Sequence, residues 1–155
     1  MKHVFLLAFG IGVVAGLRSM TAPAAVTWAA KLGWLKLSAS PFGFMGSTVA
    51  VVLFSLGAVG ELIADKLPQI PKRTAAFPLI ARIVFGGLCG ACLCASASQS
   101  IVIGAICGAI GGVAGAFAGY EIRRRLVINL KMPDTLVALV EDLITIGFAF
   151  LFVSG

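Results

Sequence analysis

The stretch Ile101–Tyr120, IVIGAICGAIGGVAGAFAGY, decides the fold class, because its 20 residues include no charged side chain. A helix of about 20 mostly apolar residues crosses the hydrocarbon core of a bilayer. The rest of the chain is similar: 60% of the 155 residues are hydrophobic and 12% are charged, whereas soluble domains carry about 25% charged residues. The composition therefore excludes a soluble or disordered chain and predicts an all-α integral membrane protein.

Four further stretches have the composition of membrane spans: His3–Leu17, Phe42–Ile63, Ala75–Ala97 and Thr135–Val153. The first is short, and the third carries Arg82. Together with Ile101–Tyr120 they predict about five transmembrane helices in a single domain over residues 1–155.

The first span is predicted to break between Arg18 and Pro23. The residues there are Arg18-Ser19-Met20-Thr21-Ala22-Pro23, and an apolar stretch follows them. Proline removes a backbone donor and disfavours helix at the preceding residue, so we expect Ser19, Thr21 and Pro23 in a broken segment before a short or re-entrant helix. Irregular backbone at membrane depth must be covered by protein or water, which makes the break a candidate functional feature. A plain loop before an interfacial helix is the alternative.

Lysine and arginine residues predict the orientation, because they are retained on the cytoplasmic side. With five spans, eight fall on the side of the N-terminus and three on the other. The eight are Lys2, Lys66, Lys72, Arg73, Arg123, Arg124, Arg125 and Lys131, and the three are Arg18, Lys31 and Lys36. The N-terminus is therefore expected in the cytoplasm and the C-terminus outside. The net charge of +6 then reflects this bias and contact with anionic lipid headgroups, and no nucleic-acid partner is expected.

Short similarities favour an inverted repeat, with halves 1–70 and 100–155 joined by the span 75–97. Gly12–Arg18 resembles the segment that begins at Gly112, and each half contains an acidic helical segment, at Glu61 and at Glu141. Inverted repeats build many transporters, whose sites lie at the repeat interface and at broken helices.

The glycines of the fourth span form two stripes of small residues, each with a spacing of four. The first stripe is Gly104, Gly108 and Gly112, and the second is Gly111, Gly115 and Gly119. Such spacing lets helix backbones approach closely in lipid. The fourth span is therefore expected at the centre of the bundle, although either stripe also suits a homodimer contact.

The four cysteines predict packing rather than chemistry. Cys89, Cys92, Cys94 and Cys107 lie in apolar spans, and the only histidine is His3. A structural zinc site needs four converging ligands, usually cysteine or histidine. We therefore expect no metal, no disulfide and no cofactor.

Charged residues inside the spans are the candidate site, because a charge at the centre of a membrane helix costs at least about 2.5–3.5 kcal/mol. The candidates are Glu61, Asp65, Glu141 and Asp142, with Arg18 and Arg82 as counter-charges. Crowded carboxylates in a medium of low dielectric constant favour proton exchange near neutral pH, which suits a substrate or ion pathway. Internal ion pairs with a purely structural role are the alternative.

Three blocks of sequence resemble a bacterial membrane family catalogued as domain of unknown function 4126. They are Ala15–Pro23 (AGLRSMTAP), Glu61–Pro68 (ELIADKLP) and Val140–Asp142 (VED). The resemblance covers nearly the whole chain and implies a compact helical protein of the bacterial inner membrane, but it brings no established activity. The chain departs from the family pattern near Asn129–Asp134, and it lacks the histidine often found near the end of the fourth span.

These features predict a small transporter or channel, proton- or cation-coupled through its carboxylates. Five spans make a thin permeation unit, so a homo-oligomer, first of all a dimer, is expected. A non-catalytic scaffold or partner subunit held by internal ion pairs is the alternative. A lipid-modifying enzyme is disfavoured, because neither a spaced aspartate array nor a Ser-His or Cys-His pair is present.

Overall fold

The computed structural model describes residues 3–67 and 75–155. Within them the chain forms six α-helices and one short 3₁₀-helix and no strand, which confirms the all-helical prediction. The α-helices are α1 (Val4–Leu17), α2 (Thr21–Lys31), α3 (Thr48–Ala64), α4 (Ala76–Ser96), α5 (Ile101–Asn129) and α6 (Asp134–Ser154), and the 3₁₀-helix is Gly43–Gly46.

Three of these helices, α4, α5 and α6, are long and apolar enough to cross a membrane, which supports a membrane protein. Helices α1 and α3 are apolar but shorter. At 1.5 Å per residue, the 14 residues of α1 extend only about 21 Å, less than the roughly 30 Å hydrocarbon core. The count of five spans is therefore not confirmed.

Two predicted spans have different ends in the structure. Helix α3 begins at Thr48 rather than Phe42, because the Ser47 hydroxyl accepts a hydrogen bond from the Ala50 amide and caps the helix there. Helix α5 continues past Tyr120 to Asn129. The last turns of α5 are charged and lie beyond the apolar span. Charged residues can continue a helix, and here Glu121 pairs with the two arginines Arg124 and Arg125.

The first span breaks at Arg18–Met20, and Pro23 is not the cause. Arg18 is extended and ends α1, whereas Pro23 lies in the first turn of α2 and Ala22 is helical. Proline is tolerated there because the first amides of a helix have no intrahelical acceptor. Helix α2 then returns towards the end of the bundle where α1 began, so that Lys36, beyond α2, donates its amide to Ser96 at the end of α4.

The centre of the bundle is built from glycines of α1, α4 and α5. Gly104, Gly108 and Gly112 of α5 face α4, at Gly90, Gly86 and Arg82 respectively. Gly111 and Gly115 face α1, while Gly119 is buried beside an apolar groove between α5 and α6. The stripes thus pack against neighbouring helices within one chain: Gly108 and Gly112 lie between α4 and α1, and Gly111 and Gly115 face α1.

His3 and Gly155 lie at the same end of the bundle, so the predicted placement of the termini on opposite sides of a membrane is not confirmed. His3 lines one cavity with Ser154 and Gly155, and Gly10 packs against Phe152. The physical reason is the return of α2, which adds a sixth passage through the bundle and makes the number of passages even.

The inverted repeat between residues 1–70 and 100–155 is not confirmed. Gly12 contacts Gly108, and Gly16 contacts Gly112 and Gly115, so α1 and α5 run in the same direction side by side. An inversion requires these two helices to run in opposite directions. The linker segment 75–97 is itself central, because α4 packs on both α1 and α5.

Gly108→Ala is expected to destabilise the bundle, because the new Cβ would overlap the Gly86 carbonyl. Overpacking of this kind costs about 1–3 kcal/mol. Gly147→Ala in α6 is the matched control, since nothing lies within 4 Å of its added Cβ and alanine favours a helix. The thermal unfolding midpoint in detergent measures both, and equal midpoints would contradict the packing at α5.

Tags on the two termini are expected on the same side of a membrane. In sealed vesicles of one orientation, an added protease should cleave both tags or neither. Cleavage of one tag alone would contradict the return of α2.

A charge network at the helix break

The two free helix ends at the break are bonded by charged side chains from other helices. Arg82 of α4 donates to the carbonyl of Gly16, which lies in the last turn of α1. Glu61 of α3 accepts from the Ser19 and Met20 amides, each at 2.9 Å, and from the Ser19 hydroxyl at 2.8 Å. The last carbonyls and first amides of helices lack intrahelical partners, and here an arginine and a carboxylate supply them.

Arg82 and Glu61 also face each other across the break. Arg82 Nη2 lies 3.9 Å from Glu61 Oε1, and both side chains are largely shielded. The carboxylate further benefits from the positive end of the α2 dipole. Helices α3 and α4 are thus tied to the break through one ion pair.

Arg18 is the most deeply buried charge of the described chain, with 1% of its side chain exposed. Its guanidinium pairs with Asp142 of α6 and, at 3.0 Å, with Asp65 at the end of α3. Asp142 is itself buried. A cation and two carboxylates therefore join α1, α3 and α6 at the level of the break.

Arg123 of α5 extends the cluster outwards. It lies 2.8 Å from Asp65, 2.9 Å from Asp134 and 3.8 Å from Glu141. Lys66 lies 3.7 Å from Asp142. This cluster and the neighbouring Glu61–Arg82 pair at the break are together called the charge network here; its members are Arg18, Glu61, Asp65, Lys66, Arg82, Arg123, Asp134, Glu141 and Asp142.

The structure brings together all six charged residues predicted from the sequence. Arg18 was expected near the opposite end of its helix from the acidic residues, but the return of α2 places it among them. Of the predicted break residues, Ser19 hydrogen-bonds to Glu61, while Thr21 and Pro23 are buried in the first turn of α2.

Three members were not among the candidates from the sequence: Lys66, Asp134 and Arg123, the last of which was assigned to lipid headgroups with its neighbours. The signal that marks Arg123 is the continuation of α5 beyond Tyr120. Along that helix, Arg124 and Arg125 both donate hydrogen bonds to Glu121. Arg123 instead donates to Asp65 and Asp134.

The described residues contain no group of three or more histidine, cysteine or acidic side chains arranged to hold a metal ion. Arginines separate the network carboxylates, and Cys89, Cys92 and Cys94 are buried as free thiols. Within the described residues, the arrangement therefore offers paired acidic and basic side chains rather than a cluster of metal ligands.

A comparison with protein families matches residues 5–154 to the family described as Domain of unknown function (DUF4126). The chain belongs to this family. The match confirms the resemblance carried by Ala15–Pro23, Glu61–Pro68 and Val140–Asp142, and the description assigns the family no activity. Neither the comparison with curated proteins nor that with solved structures gives a match.

Asp142→Asn is expected to lower the free energy of unfolding by about 3–5 kcal/mol, the usual cost of removing one partner of a buried ion pair. Arg18→Met should be at least as damaging, because Asp65 and Asp142 both lose their buried guanidinium partner. The double variant Arg18→Met with Asp142→Asn should lose less than the sum of the two single variants, because each single variant already breaks the Arg18–Asp142 pair.

Glu121→Gln is the control for this cycle, because it removes a carboxylate of an exposed pair outside the network. It should leave the thermal unfolding midpoint nearly unchanged. Strictly additive losses at Arg18 and Asp142 would show that the two side chains do not act together.

Proposed function

We propose that the chain is a small membrane transport protein whose charge network exchanges protons or small cations. The observation that carries this proposal is the double role of Glu61, which bonds the amides of the break and faces Arg82. The charge of one carboxylate is thereby linked to the position of a discontinuous helix. No bond-making chemistry is part of the proposal.

Discontinuous helices support this proposal on general grounds. In many transporters the free ends of broken helices bind substrate or coupling ions near the bilayer midplane. Ionisable residues at membrane depth are costly, and they commonly mark ion pathways. In this chain the Arg82 guanidinium binds the C-terminal end of α1, where such transporters bind a cation. The Glu61 carboxylate binds the N-terminal end of α2, where they bind an anion.

A proton arriving at Glu61 would loosen the break. Hydrogen bonds to an ionised acceptor are roughly twice as strong as neutral ones, so protonation weakens the bonds from Ser19 and Met20. It also removes the ion pair with Arg82. Helix α2 would then be free to shift relative to α3, which is the coupling between charge and conformation that transport requires.

The positive-inside rule orients the bundle. Among the described residues, Lys66, Arg124, Arg125 and Lys131 lie at the end nearest the network, while Lys31 and Lys36 lie at the other. We therefore propose that the network end faces the cytoplasm and both termini face outwards. A homodimer remains part of the proposal, because a single bundle of this size is thin.

A membrane scaffold is the second candidate, favoured by the tight pairing of Asp142. This carboxylate is 9% exposed and sealed against Arg18, and the bundle beneath it is filled by Ile11, Val14 and Cys89. In this alternative the charges fix the helices and bind no ion.

Glu61→Gln is expected to abolish flux, because glutamine retains one of the two acceptor oxygens at the break but carries no exchangeable charge. Purified protein in liposomes, with a pH-sensitive dye inside, is tested under an imposed potential with proton, Na⁺ and K⁺ gradients. We expect wild-type flux and at least a tenfold loss in Glu61→Gln.

Glu121→Gln provides the matched control at the same end of the bundle, and its flux should equal that of the wild type. Equal flux in Glu61→Gln and wild type would remove Glu61 from the mechanism. No flux from folded wild-type protein under all three gradients would favour the scaffold.

A further inference from the structure

An apolar groove of about 370 Å³ lies between α5 and α6, at the same end of the bundle as the charge network. Ile122 and Leu126 of α5 form one wall, and Val137, Val140 and Ile144 of α6 form the other. The volume falls within the range of about 300–1,000 Å³ typical of small-molecule sites.

The groove opens sideways towards the bilayer. Helix α6 packs mainly against α1 and α2 rather than α5, so the two helices that flank the groove stand apart. Ile122 and Val140 on its two sides are exposed. In a membrane, hydrocarbon rather than water therefore meets the opening.

The groove is elongated along the helices. Its lining runs from Gly119 to Leu126 on α5, a rise of about 10 Å at 1.5 Å per residue. Met132, in the connection between the two helices, lines the end nearest the bundle surface. This shape accommodates a linear apolar chain that enters through the side that faces the bilayer.

Positive charge lies at this end of the groove. Lys131 precedes Met132, is exposed and pairs with no carboxylate within the described residues. Arg124 and Arg125 lie outside the groove and share the single carboxylate of Glu121, which leaves a net positive charge on the neighbouring face of α5. Basic residues beside a membrane helix attract anionic headgroups, each by about 1 kcal/mol.

We propose that the groove binds one acyl chain of an anionic phospholipid from the surrounding bilayer, with the lipid phosphate near Lys131. The apolar walls accept the chain, and the basic end selects the headgroup. This inference does not depend on ion transport, since a scaffold with the same groove would bind the same lipid.

The test measures lipid retained by the full chain after purification from vesicles of equal parts phosphatidylglycerol and phosphatidylcholine. Native mass spectrometry counts the bound lipids. The wild type should retain phosphatidylglycerol, and Val140→Trp, which fills the groove, should reduce retention at least fivefold. Lys131→Gln should lower the preference for phosphatidylglycerol over phosphatidylcholine.

Val84→Trp is the matched control, because Val84 is an exposed valine of α4 outside the groove. It should retain lipid like the wild type, and the thermal unfolding midpoint establishes that each variant is folded. Equal retention in wild type and Val140→Trp would overturn the proposal. So would a wild-type dimer that Val140→Trp dissociates, since a second copy would then occupy the groove.

Discussion

The Arg18 guanidinium, held between Asp65 and Asp142, is the interaction on which the rest of the structure depends. Arg18 is almost wholly buried, and an isolated charge in that environment is very costly. Its two carboxylates therefore have to be present, and they fix the ends of α1 and α3 and the middle of α6 at one level. The break in the first span, the end of α3 and the middle of α6 share a single electrostatic constraint.

Close helix packing makes this constraint possible. The glycines of α5 bring α1 and α4 into backbone contact on two sides, so the short helix α1 is held within protein along its length. In lipid, the hydrophobic effect does not drive apolar helices together, and close packing contacts stabilise their association instead. Arg82 then reaches the Gly16 carbonyl because Gly112 admits the backbone of α4 at that point.

The proposed transport requires that charged side chains of the network can change their ion-pair partners. Arg123 touches three carboxylates from two helices and their connections, and Arg18 touches two, so several pairings of similar geometry exist. Arg123 and Glu141 also line the groove between α5 and α6. A lipid chain in that groove would lie directly against the network and would lower the local dielectric constant, which strengthens its ion pairs.

The sequence by itself determined that the protein is helical and built for a membrane, because composition and apolar run length depend on no long-range contact. It also determined the candidate charges, since an ionisable residue within an apolar span is visible in the chain alone.

Which charges meet was decided by the tertiary structure. The direction of α2 after the break places Arg18 beside Asp65 and Asp142 and brings both termini to one end. That direction depends on Glu61 and Arg82 bonding the helix ends from α3 and α4, residues at least 42 positions away from Ser19 and 66 from Gly16. No local pattern around Arg18–Pro23 encodes those contacts.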